Sequence, residues 1–150
     1  MAVRVVRLGT PRLPGEGLRL GTVRRLPRGV RKADYARRNY FDVWLPELSP
    51  SDHLVSYVQK DIDTRWKSFA RRYRAEMAKP SPRRLLDSLA ALSHQADFSV
   101  GCYCEDESRC HRSLLGRLFA ERGASLAPSR KAPGRRATRP KRGAAPRSRA

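Results

Sequence analysis

The segment FSVGCYCEDESRCHRSLLGRLFAERG, Phe98 to Gly123, constrains the fold of this chain more than any other stretch. Its first part alternates, placing Phe98, Val100, Cys102 and Cys104 on one side of an extended strand and Ser99, Gly101 and Tyr103 on the other. Its last part changes to helical spacing, with Leu114, Leu115, Leu118 and Phe119 inward and Gly123 placed to end the helix. Strand, acidic turn and helix in that order form a building unit of α/β folds. All three cysteines of the chain fall within this unit.

The rest of the chain supplies what such a unit needs. VRVVRL (Val3 to Leu8) and LRLGTV (Leu18 to Val23) are strand-like runs, separated by GTPRLPGEG, whose Gly and Pro residues are turn chemistry. RRLPRGVRK follows, where Pro27 removes a ladder donor and Gly29 permits unusual backbone angles, so Arg24, Arg25 and Arg28 are expected on a loop at a strand end. Trp66, Phe69, Tyr73 and Met77 recur at helical spacing between Asp63 and Lys79. Pro80 is expected to stop that helix, and Ser81 and Pro82 to cap and start another carrying Leu85, Leu86, Leu89 and Leu92. Ser51 to Lys60 is a weaker helix candidate. Strands at both ends with helices between them predict a compact single-domain α/β sandwich with a mainly parallel sheet and flanking helices.

Charge divides the chain. Of 33 Lys and Arg residues, nine lie beyond Gly123, where no acid accompanies them, and the formal net charge is +19. Residues 123–150 are Pro, Ala, Gly and Arg without an apolar period, which predicts a disordered basic tail behind a domain over residues 1–122. The surplus favours a polyanionic partner such as nucleic acid. No apolar run approaches the roughly 18 residues of a membrane helix, and the clustered cysteines argue for reduced thiols. A cytoplasmic protein without a membrane partner is the expectation; the oligomeric state is not encoded in any feature.

GCYCEDESRCHRS admits several chemistries. Cys102, Cys104, Cys110 and His111 are suitable ligand types for tetrahedral zinc. Their spacing argues against it, because adjacent Cys110 and His111 point apart on a helix, and His53 or His94 would have to close the site. No cofactor or stoichiometric zinc is therefore expected. As a thiol site, Cys110 stands at a strand-to-helix turn that lowers a thiol pKa. The phosphatase spacing fails, because Cys110 occupies the position after Cys104 where arginine belongs and Arg112 comes two residues later. Cys102 reads as a small core residue. As an anion site, Ser108 or a neighbour caps a helix start whose free N–H groups are joined by Arg112 and His111, with Arg109 of little weight. Glu105, Asp106 and Glu107 oppose an anion there, and they equally suit the positive end of the helix dipole alone.

Three ordered motifs resemble one family, the YeaO-like bacterial domains of unknown function known as DUF488. GLRLGTVRRLPRGVRK is similar to its strand-loop signature ending in P-R-G. Trp44, Glu47, Leu48, Pro50, Ser51, Phe69, Tyr73 and Glu76 match its W-x-x-E-L-x-P-S block and F-x-x-x-Y-x-x-E helix, and CYCEDESRCHRSLL resembles C-x-E-x-x-x-x-C-H-R-S. The resemblance covers about residues 1–122. It implies a site where the early arginine loop meets the C-H-R turn, carried by Arg24, Arg28, Glu105, Cys110, His111 and Arg112, with Ser113 completing the motif.

The reading that follows is a cationic Cys-His-Arg pocket for a phosphorylated or nucleic-acid ligand. As an enzyme it would use His111 as acid or base, Cys110 as thiol and Glu105 as base, with Arg24, Arg28, Arg112 and Ser113 holding the ligand. Two alternatives stay open. One is a non-enzymatic nucleic-acid-binding or regulatory module whose tail contacts phosphates; the other is a zinc-stabilised interaction domain.

Overall fold

The computed structural model describes residues 1–128. The elements run β1 (Val3–Arg7), β2 (Leu18–Gly21), β3 (Val43–Trp44), α1 (Asp52–Gln59), α2 (Ile62–Met77), α3 (Pro80–Leu92), β4 (Phe98–Cys102) and α4 (His111–Glu121). The first two strands, neighbours in sequence, do not pair with each other. β4 inserts between them and completes a four-stranded sheet, parallel throughout, in the order β1-β4-β2-β3. Every residue of β4 is buried, as a central parallel strand requires. The α/β fold read from the sequence is the fold observed.

One face of the sheet carries Val3, Leu20, Phe98 and Val100, and on it pack Leu54 of α1, Phe69, Tyr73 and Met77 of α2, Leu86 of α3, and Leu115 and Phe119 of α4. Each such Leu or Phe contributes about 1.5–3 kcal/mol by leaving water. The alternate residues face the other way. There Arg19 and Ser99 meet Glu16, and the long loops before β2 and before β3 cover them. Phe41 lies against Gly21 and forms a second apolar cluster with Leu8, Val23, Cys102 and Cys110.

Side-chain hydrogen bonds fix how α1 and α2 approach the sheet. Ser51 caps α1 and also donates from its backbone N–H and hydroxyl to Glu76 on α2. The Tyr73 hydroxyl donates to the Leu48 carbonyl at 2.7 Å. These pairs account for Leu48, Ser51, Tyr73 and Glu76 of the matched motifs as scaffold residues that lock the approach to α1 onto α2.

Three details differ from the sequence reading. α3 begins at Pro80, with Lys79 at the N-cap, two residues ahead of the expected Ser81 cap, because Pro80 itself has the fixed φ and missing donor that suit a first helical position. β3 was not anticipated: it has two exposed residues and no alternation to read, and it is held by pairing with β2 and by the Trp44 indole donating to the Val23 carbonyl. The folded part also continues past residue 122. Val3 donates to Ser125 and Ala127 donates to Val3, so residues 125–127 run beside β1. Backbone pairing with an edge strand leaves no apolar period behind. The remainder of the tail, residues 129–150, lies outside the described residues.

Candidate functional site: a thiol and imidazole cluster in a cationic cleft

β2 and β4 lie side by side with Gly21 opposite Gly101, so their carboxyl ends deliver Thr22 to Arg25 and Cys102 to Cys104 to the same edge of the sheet. Ligands in open α/β sheets gather at such edges. The turn after β4 returns the chain so that α4 starts there too. Asp106 accepts from Ser108 and organises that turn, while Cys110, in extended conformation with φ −127° and ψ 144°, is the N-cap of α4.

The extended Cys110 overturns the expectation that Cys110 and His111 point apart. Only His111 is helical, so the two side chains converge: Cys110 Sγ is 3.9 Å from His111 Nδ1. Cys102 Sγ lies 3.6 Å from Cys104 Sγ. The ligand atoms of Cys102, Cys110 and His111 all fall within 4.8 Å of one another. Among the described residues, the other histidines stay away, His53 on the surface of α1 and His94 bonded to the Gly123 carbonyl.

Two contacts hold His111. Its Nε2 lies 2.7 Å from the Thr22 carbonyl, and the ring meets Tyr73 edge-on at 5.6 Å. A carbonyl only accepts, so Nε2 carries the proton and Nδ1 presents a lone pair to the sulfurs. Burial lowers the imidazole pKa, with the Arg112 charge a smaller contribution in the same direction. Among the thiols, hydrogen bonds from Cys102 and then Cys110 lower Cys104 to about 2, with His111 and Arg112 adding to the effect. Cys102 rises to about 11, chiefly through its bond to Cys104, and Cys110 rises strongly through its bonds to both. Cys104 is thus the thiol of the cluster most disposed to ionise and the one that is exposed, whereas Cys110, the sequence candidate, is buried.

A cleft of about 330 Å³ opens over the cluster. Its wall is apolar, with Val55 and Val58 from α1 and Ile62, Trp66 and Phe69 from α2, and Arg24, Arg25 and Arg109 stand among its lining residues. Arg24 is steadied by the Pro50 and Ser49 carbonyls. Arg25 and Arg109 have only loose partners, Asp52 at 3.7 Å and Asp63 at 3.9 Å, both largely exposed; such pairs are worth little and yield readily to a ligand.

The structure thus gathers Arg24, Cys110 and His111 and places the other sequence candidates elsewhere. Arg28 lines a neighbouring pocket behind Tyr103. Arg112 and Glu105 border a third cleft along β1, where the Glu105 carboxylate pairs with Arg7 at 3.2 Å. The Arg112 side chain is buried; Nη2 reaches the Glu105 carbonyl at 3.4 Å, while Nε and Nη1 have no partner. Ser113 spends its hydroxyl on the Cys110 carbonyl. Arg109, given little weight in the sequence reading, lines the cleft, and so does Trp66, which also packs against the core as its stripe with Phe69 and Tyr73 predicts.

Fold and site together define a parallel α/β domain with a sulfur-rich cleft at the carboxyl edge of its sheet. Residues 3–123 match the family described as "Active DUF488-N3 subclade", and the chain belongs to the DUF488 family. No curated protein and no solved structure is matched.

Proposed function

We propose that the domain binds a phosphorylated small molecule with a flat apolar part, and that any reaction takes place at the sulfur cluster beneath it. The observation that carries this reading is the make-up of one cleft, with Arg24, Arg25 and Arg109 for a phosphate, Trp66 and Ile62 for the apolar part, and Cys104 exposed at the floor. Guanidinium forks suit phosphate oxygens, and an aromatic wall suits a planar group. The word "active" in the family description supports a reaction site over a passive one. His111, buried and bonded to Thr22, serves this reading by orienting the cluster rather than by meeting ligand.

Nucleoside monophosphates and inorganic phosphate are the probes. The nucleotides should raise the melting temperature of the wild-type protein, and Arg109→Ala should weaken their binding by about tenfold to a hundredfold, in line with the roughly 1.5–3 kcal/mol of a charged hydrogen bond. Trp66→Ala should weaken nucleotides while sparing inorganic phosphate. Arg28→Ala, altered outside the cleft, should change neither. Nucleotide affinity unmoved by both Arg109→Ala and Trp66→Ala would end the proposal.

Polyanion binding is a separate proposal and rests on the nine cations beyond Gly123, all of which follow residue 129. Truncation after Pro128 keeps the pairing of residues 125–127 with β1. It should leave the melting temperature unchanged and remove most non-specific DNA affinity together with its salt dependence, as counterion release requires. A truncated chain that binds DNA as tightly, with the same salt slope, would assign that affinity to the domain.

A further inference from the structure

We infer that Cys102, Cys104, Cys110 and His111 are the ligands of a tetrahedral transition-metal centre, with zinc the ion that three thiolates and one imidazole select in a reducing environment. This inference leaves phosphate binding by Arg24, Arg25 and Arg109 untouched and makes Cys104 a metal ligand in place of an open thiol. Its first support is spacing. Zn–S bonds of about 2.3 Å at tetrahedral angles put sulfurs about 3.8 Å apart, and a Zn–N bond of about 2.0 Å puts sulfur and nitrogen about 3.5 Å apart. The corresponding separations are 3.6 Å for Cys102 and Cys104 and 3.9 Å for Cys110 and His111 Nδ1. The 4.8 Å limit encloses Cys102, Cys110 and His111 but not Cys104, which touches the group through Cys102 at 3.6 Å and has to swing inward to become the fourth ligand.

The second support is the imidazole. A ligating histidine commonly donates its other N–H to a carbonyl, which fixes tautomer and ring orientation. The Nε2 contact with the Thr22 carbonyl at 2.7 Å does this, and it directs the lone pair of Nδ1 to the sulfurs. The third is charge. Zinc with three thiolates carries one net negative charge, and the residue that follows His111 in α4 is a buried cation with no carboxylate partner among the described residues: Arg112, whose Nε and Nη1 have no hydrogen-bond partner. An unpaired buried charge is costly. A negative centre nearby explains how this one is tolerated.

The decisive experiment uses the full chain, expressed with added zinc and purified with its thiols reduced. Elemental analysis should find about one zinc ion per chain, as a closed four-ligand site implies. Replacement by cobalt should give the intense thiolate charge-transfer and visible bands of a tetrahedral site. Cys104→Ser, altered at the exposed ligand, should lower zinc affinity by at least tenfold and change the cobalt spectrum; Cys110→Ser and His111→Ala should abolish both. His94→Ala and Arg109→Ala should keep the metal. Should the buried-ligand variants fail to fold, the wild-type metal content and Cys104→Ser still decide. A reduced wild-type chain without transition metal, a weak six-coordinate cobalt spectrum, or a mass lower by two hydrogens from a Cys102–Cys104 disulfide would overturn the inference. Loss of nucleotide binding in Arg109→Ala with zinc retained would bear on the phosphate reading alone.

Discussion

Glu16→Gln should destabilise the domain by about 3–5 kcal/mol, the range for removing one partner of a buried ion pair. Arg19 is fully buried on the sheet face opposite the helices, and all three of its guanidinium nitrogens are engaged: Nε and Nη2 with Glu16 at 2.7 and 3.0 Å, Nη1 with the Thr10 and Asn39 carbonyls at 2.8 and 2.7 Å. Glu16 in turn accepts from the Leu13 N–H and the Ser99 hydroxyl. Glutamine keeps the shape but removes the charge and turns an N–H group toward the guanidinium, so Arg19 is left as an uncompensated cation. Urea unfolding of the two proteins measures the difference. A loss below about 1 kcal/mol, typical of an exposed pair, would mean that water reaches Arg19.

The same network sets an acid limit. Burial pushes the Glu16 carboxyl up, but the Arg19 hydrogen bonds, the Leu13 N–H and the Ser99 hydroxyl outweigh it and hold the group below its ordinary value of 4.5. Asp42, bonded to Arg12 and to the Arg19 N–H, is lowered in the same way. A carboxyl whose folded pKa lies below its unfolded one adds stability that is fully present above the unfolded value and is lost as pH falls through the folded one. Stability should therefore hold from neutral pH down to about 4.5 and fall below it, with a shallower decline in Glu16→Gln. The double change Glu16→Leu with Arg19→Met should recover only part of the loss, because the Thr10 and Asn39 carbonyls would lose their donor.

What the sequence made legible follows from which forces leave a pattern. Phe98, Val100, Leu115 and Phe119 are buried where alternation and helical spacing put them, because burial of one face is periodic. The sheet order was not legible: β4 enters between β1 and β2 through register, and no residue type announces register. Backbone pairing at β3 and at residues 125–127 is equally silent. At the site, the motif sets Cys110 beside His111 in sequence but does not give the direction of either side chain. Their convergence depends on one extended residue at the N-cap, a backbone angle that composition does not encode. The burial of Arg112 was hidden for a related reason. An arginine beside a helix start reads as a ligand clamp, and only the fold turns it inward.

Gly17→Ala should be among the most damaging substitutions of a single hydrogen by methyl, costing about 3 kcal/mol or more as the sum of left-handed strain and overpacking. Gly17 has φ +74°, and a methyl group there would collide with the carbonyl of Asp97. That carbonyl belongs to backbone at the entry to β4, directly before the Leu18 and Phe98 pair, and it cannot swing aside as a side chain would. Relief requires β2 and β4 to part at their amino ends, next to the buried Glu16. Gly15→Ala supplies the control: its φ of +72° is nearly the same, but nothing lies within 4 Å of the added methyl. Strain alone predicts about 1–2 kcal/mol there. Urea unfolding should rank Gly17→Ala well below Gly15→Ala; equal losses would assign the whole effect to backbone strain and remove the close approach of β2 to Asp97 as a constraint on how the sheet assembles.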